Sequence, residues 1–149
     1  MSKIFSERLN ELLALEGLTP FGLAQATGLP LKSVHNWTRG VFYPKAKALF
    51  VLADYFQISI DYLLGEEDVL REKHAKSITV EKAQENVVKR LEEYRANEEI
   101  KYGRLSKLLD VGQCTLRRWF KEKAMPETTI LIRIAKLLDI SLDELLGRE

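Results

Sequence analysis

The stretch TPFGLAQATGLPLKSVHNWTRG, residues 19–40, decides the fold because it has the pattern of two short helices joined by a tight turn. Thr19 is a suitable N-cap, and Pro20 suits the first helical position because no backbone N–H is needed there. Gly28 ends this helix, and the sequence predicts that a second helix starts at Leu31.

Two apolar residues fix the rotation of the second helix. Val34 and Trp37 lie three residues apart, so both are predicted to point into a helical core. Because successive residues turn by ~100°, the opposite arc of the helix faces solvent. That arc carries four polar side chains that can donate hydrogen bonds, Lys32, His35, Asn36 and Arg39.

The same pattern returns 82 positions later, at residues 101–122. Leu116 and Trp119 take the inward places there. Residues 58–65 and 140–147 agree best at this offset, because both segments read Ile-Ser-x-Asp-x-Leu-Leu-Gly. Duplication of one helical domain explains the repeat. The outward arc of the second copy holds a thiol and three cations, Cys114, Arg117, Arg118 and Lys121, with Gln113 beside them.

Apolar stripes at helical spacing predict the remaining helices. A first helix over residues 4–16 would bury Ile4, Phe5, Leu9, Leu12 and Leu13. A fourth over residues 45–56 would bury Ala48, Leu49, Leu52, Ala53 and Phe56, and a fifth over residues 60–64 follows the cap Ser59.

The first helix of the second copy is predicted to be longer than its partner in the first copy. It begins after the N-cap Thr79, and its stripe of Val80, Ala83, Val87, Leu91 and Tyr94 includes surplus turns at residues 80–83. These turns could pack on the first copy, on a second chain or on their own bundle.

At these residues the chain resembles the lambda-repressor/Cro-like (XRE-type) helix-turn-helix transcriptional regulators. The ordered set that carries the resemblance is Leu18-Thr19, Leu23-Ala24, Gly28-Leu29-Pro30, Val34 with Trp37, Gly40, Pro44 and residues 53–64. The resemblance implies an all-α protein of two tandem five-helix DNA-binding bundles, residues 1–67 and 80–149. A short, charged, partly helical connector would occupy residues 68–79.

The resemblance also assigns roles by position, because in this family the second helix of the pair enters the major groove. Helices at about residues 31–39 and 113–121 would then contact double-stranded DNA. The chemistry agrees, since arginine and lysine suit guanine, glutamine and asparagine suit adenine, and leucine suits a thymine methyl. Base readout is assigned to Leu31, Lys32, Asn36, Gln113, Cys114 and Arg118, and phosphate contacts to His35, Arg39, Tyr43, Arg117, Lys121 and Lys123.

Three positions depart from the family pattern, and one of them is the usual serine cap, where this chain has Pro30 and Gly112. The family often has a glutamine directly after the first helix-starting Thr or Ser, whereas this chain has Pro20 and Tyr102 there. Asp110 replaces the turn glycine of the second copy, and aspartate is one of the few residues that tolerate a left-handed turn.

Charge is nearly balanced overall but concentrated locally. The net charge is +1, yet residues 101–123 hold seven cations against two anions. Residues 19–41 hold two cations and no acid. Both predicted recognition helices are therefore positive, as binding to phosphates requires.

Composition excludes several classes of protein. The chain is 46% hydrophobic and 30% charged, and no apolar run approaches the ~20 residues of a membrane span. The N-terminus lacks the pattern of a secretory signal, and a single cysteine forms no internal disulfide. We expect a cytoplasmic, nucleoid-associated protein, and the resemblance implies a bacterial or phage origin.

The sequence predicts neither enzyme activity nor a cofactor. It has no glycine-rich phosphate loop, nucleophile elbow or patterned carboxylate pair. His35 and His74 have no cysteine or carboxylate at ligand spacing, so no metal site is expected.

The aromatic residues are unevenly divided, with nine of the thirteen in the first copy. A bundle this small cannot bury nine rings fully, so the aromatic-rich helices of the first copy are candidates for a homodimer contact. The alternative is a bulkier core with tyrosines at its rim.

The favoured function is a sequence-specific DNA-binding regulator, a repressor. The other reading is a protein-interaction regulator of the antitoxin or antirepressor type, whose first copy binds a protein.

Overall fold

The computed structural model describes residues 3–68 and 77–149. Within these ranges the chain forms ten α-helices and no strands. It divides into two compact units, Met1–Ser77 and Ile78–Glu149, here called unit 1 and unit 2. Most of the predicted connector lies outside the described residues.

Unit 1 contains five of the described helices, and each begins and ends within one residue of its predicted bounds. The local caps account for this agreement. The Thr19 hydroxyl accepts a hydrogen bond from the N–H of Gly22 at 3.0 Å, and Gly28 ends α2 in the left-handed conformation with φ +76°. The helices are α1 (Lys3–Glu16), α2 (Pro20–Thr27), α3 (Leu31–Thr38), α4 (Ala46–Phe56) and α5 (Ile60–Leu63).

The core of unit 1 is built around the predicted inward pair. Val34 and Trp37 are 0% and 4% exposed, which confirms the predicted rotation of α3. They belong to an apolar core that also contains Phe5, Leu9, Leu23, Leu49, Leu52 and Leu63.

Some predicted core positions in unit 1 are wrong. The prediction that Ile4 is buried fails, because its side chain is 48% exposed. It lies at the edge of the bundle against Gly65, where an added Cβ would come within 2.5 Å of Ile4 Cγ2. In α4, Phe50 is buried while Ala48 and Phe56 are only half-buried. Lys47, Asp54 and Tyr55 mark the solvent side of this helix, and Phe50 lies at the edge of its buried side.

Unit 2 also contains five described helices, and α6 has 18 residues against 14 for α1, as predicted. Ala83, Val87 and Leu91 on its stripe are each 0% exposed, whereas Val80 and Tyr94 are half-buried. The helices are α6 (Val80–Asn97), α7 (Tyr102–Leu108), α8 (Gln113–Lys121), α9 (Thr128–Leu138) and α10 (Leu142–Leu146).

The surplus turns of α6 pack on their own bundle. Ala83 is fully buried, and Gln84, which follows it, is 4% exposed. The Gln84 side-chain amide donates hydrogen bonds to the carbonyls of Trp119 at 2.7 Å and Ala124 at 3.1 Å. Of the three packing arrangements open to these turns, the structure shows contact within unit 2.

The C-terminal part of unit 2 contains two tight contacts. Arg148 and Asp143 form a buried ion pair in which Nε lies 2.7 Å from Oδ1, with 1% and 0% of the side chains exposed. Gly147 has φ +85°, and a Cβ added there would come within 2.2 Å of Asn86 Nδ2. That amide nitrogen donates a hydrogen bond to the Leu146 carbonyl at 2.9 Å.

Left-handed backbone positions recur in the two units at the offset of 82 residues. The pairs are Gly17 and Glu99, Gly28 and Asp110, Gln57 and Asp139, and Gly65 and Gly147. Asp110 takes φ +55°, so the predicted tolerance of aspartate at this turn is confirmed. The units differ after α3 and α8, because the left-handed residues there are Gly40 and Lys123.

No helix in the described ranges combines the length and the apolar character needed to cross a membrane.

Candidate nucleic-acid interface

Helix α8 presents a cationic face over a buried apolar one. Leu116 and Trp119 are 2% and 3% exposed and hold the helix on the core of unit 2. Because their spacing sets the rotation of α8, the opposite face points to solvent. The structure brings the predicted residues together there, since Gln113, Cys114, Arg117, Arg118 and Lys121 are all exposed.

Both ends of α8 favour contact with anions. Its N-cap is Gly112, which has no side chain to accept the first backbone N–H groups. Such N–H groups, together with the positive end of the helix dipole, suit a phosphate oxygen. The exposed cations Lys121 and Lys123 lie at the other end of the helix. A phosphate backbone could therefore contact α8 at each end.

One carboxylate lies among these cations. Glu122 Oε2 is 3.9 Å from Arg118 Nε, and both side chains are about two-thirds exposed. An exposed pair of this kind contributes only ~0–1 kcal/mol, so a base edge or phosphate can replace Glu122 as the partner of Arg118.

A cleft runs between the start of α7 and the exposed side of α8. Its volume is about 480 Å³, and Tyr102, Gln113, Arg117 and Lys121 are among its lining residues. The two helix starts lie close together, because a Cβ added at Gly103 would be 3.4 Å from Gln113 Nε2. Cations of α8 and the Gln113 amide thus line this cleft.

Tyr102 links three helices at this cleft. Its hydroxyl donates a hydrogen bond to Glu92 Oε2 at 2.9 Å. Its ring meets Phe120 edge to face at a centroid distance of 5.4 Å, and the Arg95 guanidinium lies 4.5 Å from the ring centroid. Arg95 also donates to the Ile100 carbonyl at 3.0 Å. The start of α7 is therefore held to both α6 and α8.

The same network shifts three pKa values. The hydrogen bond from Arg95 lowers the pKa of Glu92, and the hydrogen bond to Glu92 raises the pKa of Arg95. The pKa of Tyr102 is raised, chiefly because its hydroxyl donates to the Glu92 carboxylate. At neutral pH the network therefore consists of a carboxylate, a guanidinium and a neutral phenol.

Sequence analysis missed two of the groups that position α8. The Glu92–Arg95 pair is visible in the sequence as opposite charges three residues apart, but its contact with Tyr102 is not. Gln84, which binds the Trp119 carbonyl, lies three residues before Val87 on the buried side of α6. A polar residue on a buried stripe was the available signal for a structural hydrogen bond.

The corresponding face of α3 in unit 1 has a different character. Lys32, His35 and Arg39 are exposed, but Leu31 is an apolar side chain 37% exposed. Asn36 is half-buried, and its Oδ1 accepts a hydrogen bond from Arg39 Nη2 at 2.8 Å. Two of the predicted DNA-contacting side chains of α3 thus bind each other.

Tyr43 packs within its own bundle rather than standing free for phosphate. Its half-buried ring lies 6.3 Å from that of Phe5 at an angle of 60°. Burial, followed by the nearby Glu66 carboxylate, raises its pKa. Only part of the Tyr43 side chain is therefore available for its predicted contact with phosphate.

In residues 3–68 and 77–149, no group of three or more histidine, cysteine, aspartate or glutamate side chains is placed to hold a metal ion. Cys114, the single cysteine, is an exposed free thiol on α8.

Comparison with known proteins agrees with the geometry of unit 2. The helix-turn-helix family model matches residues 91–145, which run from the second half of α6 to α10. A search of the curated proteins gave no match, and a search of the solved structures also gave none. Residues 91–145 of unit 2 are therefore similar to the helix-turn-helix domains of DNA-binding regulators of transcription.

Proposed function

We propose that this protein is a repressor that binds a specific sequence in double-stranded DNA by inserting α8 into the major groove. The observation that carries the proposal is the exposed face of α8, where Arg117, Arg118 and Lys121 lie opposite the buried Trp119. An α-helix fits the major groove, and a helix with cations on its free face contacts both bases and phosphates. Repression is the outcome that occupation of an operator can produce by itself.

Within α8 the residues divide by position and chemistry. Gln113 and Arg118 have side chains that can form bidentate hydrogen bonds with adenine and guanine, and Cys114 is small enough to lie against a base edge. Arg117, Lys121 and Lys123 would contact phosphates and set the orientation of the helix. The roles of Leu31, Lys32, Asn36, His35, Arg39 and Tyr43 in unit 1 stay predictions.

The recurrence of left-handed turns at an offset of 82 residues supports descent of both units from one duplicated domain. We propose that residues 1–67, within unit 1, have the same lambda-repressor-like architecture as residues 80–149, within unit 2. A homodimer through its aromatic-rich helices also stays a prediction.

The decisive variant is Arg118→Ala. It should weaken binding to the cognate duplex by about 1–3 kcal/mol and relax selectivity at one base pair, because one side chain would contact that base. The cognate duplex is first selected from a random pool, and affinities are then measured by fluorescence anisotropy. Lys136→Ala, which removes an exposed cation from the last turn of α9, is the charge-matched control. If Arg118→Ala binds DNA with unchanged affinity and selectivity, α8 does not lie in the major groove.

Glu122→Gln should have the opposite effect. It removes a carboxylate that lies 3.9 Å from Arg118 Nε and would repel DNA phosphates. We expect DNA to bind a few-fold more tightly, mostly at low salt, because exposed charges are screened. Equal or weaker binding would mean that Glu122 does not face the duplex.

Salt dependence tests the phosphate contacts as a set. If about six phosphates are neutralised, the slope of log affinity against log salt should be about −5. A slope near zero would contradict a DNA interface built on these cations.

A further inference from the structure

The surface around α3 in unit 1 combines exposed apolar side chains with cations. Its four large apolar members are Phe21, Leu31, Val41 and Phe42, which are 55%, 37%, 60% and 46% exposed. We call these residues, with the exposed cations Lys32 and Arg39, the α3 face. Grouped exposed apolar side chains mark an interaction surface more often than isolated ones do.

Three of the apolar residues stand where unit 2 has polar or small ones. At the offset of 82 residues, Leu31 corresponds to Gln113 and Phe21 to Gly103. After the helix ends the offset shifts by one residue, and Val41 takes the place of Ala124, because their N–H groups donate to the carbonyls of Asn36 and Arg118, which correspond at the offset of 82. The features that suit α8 to DNA are therefore replaced on the α3 face by side chains that gain more from a dry contact.

These residues flank one helix, since Leu31 begins α3, Val41 and Phe42 follow it, and Phe21 lies on α2, which packs against α3. In unit 2 the positions corresponding to Phe21 and Leu31 are neighbours, since a Cβ on Gly103 would be 3.4 Å from Gln113 Nε2. At the other end of α3, the Val41 N–H donates to the Asn36 carbonyl at 3.0 Å, which holds Val41 and Phe42 against the helix terminus. Because α3 has eight residues, the two apolar ends are about 12 Å apart.

The positive charge of the α3 face limits which partner can bind there. Residues 17–53 contain four Lys or Arg and no Asp or Glu. A second copy docked through the same face would place like charges opposite each other in a symmetric contact. A partner with carboxylates beside its apolar side chains would match both the cations and the apolar ends.

We propose that the α3 face binds a protein segment that carries acidic side chains next to apolar ones. If the segment is an amphipathic helix, apolar side chains two turns apart on it are ~11 Å apart, which is close to the distance between the two apolar ends of the α3 face. Lys32 and Arg39 lie between these ends and pair with the carboxylates of the segment. This interaction would take the place of the DNA contacts predicted for Leu31, Lys32 and Arg39, and it is separate from DNA binding by α8.

The test uses a phage-displayed library of random 16-residue peptides selected on the full-length chain. Bound peptides are then counter-selected on the double variant Val41→Ser, Phe42→Ser. The selected peptides should be enriched in Asp and Glu beside apolar residues, and should bind the wild-type chain at least tenfold more tightly than the double variant in fluorescence anisotropy. Leu15→Ser, which alters an apolar side chain 70% exposed on α1, is the matched control and should bind like wild type.

Lys32→Glu provides a second measurement that leaves the apolar side chains intact. It should weaken binding of the selected peptides, and changing their acidic residues to lysine should abolish it. The proposal is overturned if no selected peptide distinguishes wild type from the double variant, or if the selected peptides lack acidic residues. It is also overturned if the double variant instead abolishes self-association, measured as the mass in solution, or lowers affinity for DNA. DNA binding by Arg118→Ala is scored separately, so failure of either proposal leaves the other standing.

Discussion

Replacing Gln84 by methionine removes two hydrogen bonds at the end of α8 while keeping a side chain of similar size. Gln84 is 4% exposed and donates to the carbonyls of Trp119 at 2.7 Å and Ala124 at 3.1 Å. The Trp119 carbonyl lies in the last turn of α8, where helix carbonyls lack intrahelical donors.

The size of the effect follows from the burial of the two acceptors. A buried acceptor left without a donor costs ~1–3 kcal/mol. The bond to Trp119 is buried and the bond to Ala124 only partly so, which leaves water to replace part of the second. We expect Gln84→Met to lower the free energy of unfolding of unit 2 by about 2 kcal/mol.

Urea unfolding followed by tryptophan fluorescence measures this quantity, because each unit contains one tryptophan. In a Trp37→Phe background, Trp119 alone reports on unit 2. Glu85→Gln, on the exposed side of the same helix, loses only an exposed pair with Lys82 at 3.6 Å and should change stability by less than ~0.5 kcal/mol. If Gln84→Met is as stable as Glu85→Gln, the amide does not hold the end of α8.

Four further substitutions test unit 2. Gly147→Ala should destabilise it by about 2 kcal/mol in the same urea assay, since φ is +85° and the new Cβ would come within 2.2 Å of an amide nitrogen of α6. Gly112→Ala has φ −71° and no atom within 4 Å of its Cβ, so it should lose less stability than Gly147→Ala even though alanine is a poorer N-cap than glycine, and equal losses would exclude the steric explanation. Arg148→Ala should cost about 3–5 kcal/mol, because it leaves a fully buried carboxylate without its guanidinium, and a loss below 1 kcal/mol would contradict this. Arg95 holds the pKa of Glu92 below 4.5, so the ionised carboxylate stabilises unit 2 above that pH and stabilises it less as the pH falls. Glu92→Gln should therefore flatten the decline of stability below pH 4.5. An unchanged pH profile would count against the network.

The helices and their turns could be predicted from the sequence because their signals are local. Thr19 accepts a hydrogen bond from the backbone three residues ahead, and Gly28 takes a left-handed conformation that few residues tolerate. Asp110 serves the same turn in unit 2. Such contacts lie within one helical turn, so the sequence contains both partners side by side.

The cationic face of α8 was predictable for a related reason. Once Leu116 and Trp119 point inward, helix geometry leaves only one direction for Arg117 and Arg118. In α4 most residues are apolar, so the pattern shows which side faces solvent but not how far burial extends, and the burial of Phe50 at the edge of the buried side was missed for that reason.

Only the tertiary structure decided which distant residues meet. Gln84 and the Trp119 carbonyl are 35 residues apart in the chain, and the Tyr102 hydroxyl meets a carboxylate of a different helix, so no local pattern pairs them. The sequence by itself determined the helices, their caps and the solvent-facing arc of α8, because backbone conformation and helical period act over a few residues. How much of Ile4, Tyr43 and the α3 face stays exposed depends on the packing of whole helices, which is a property of the assembled bundle.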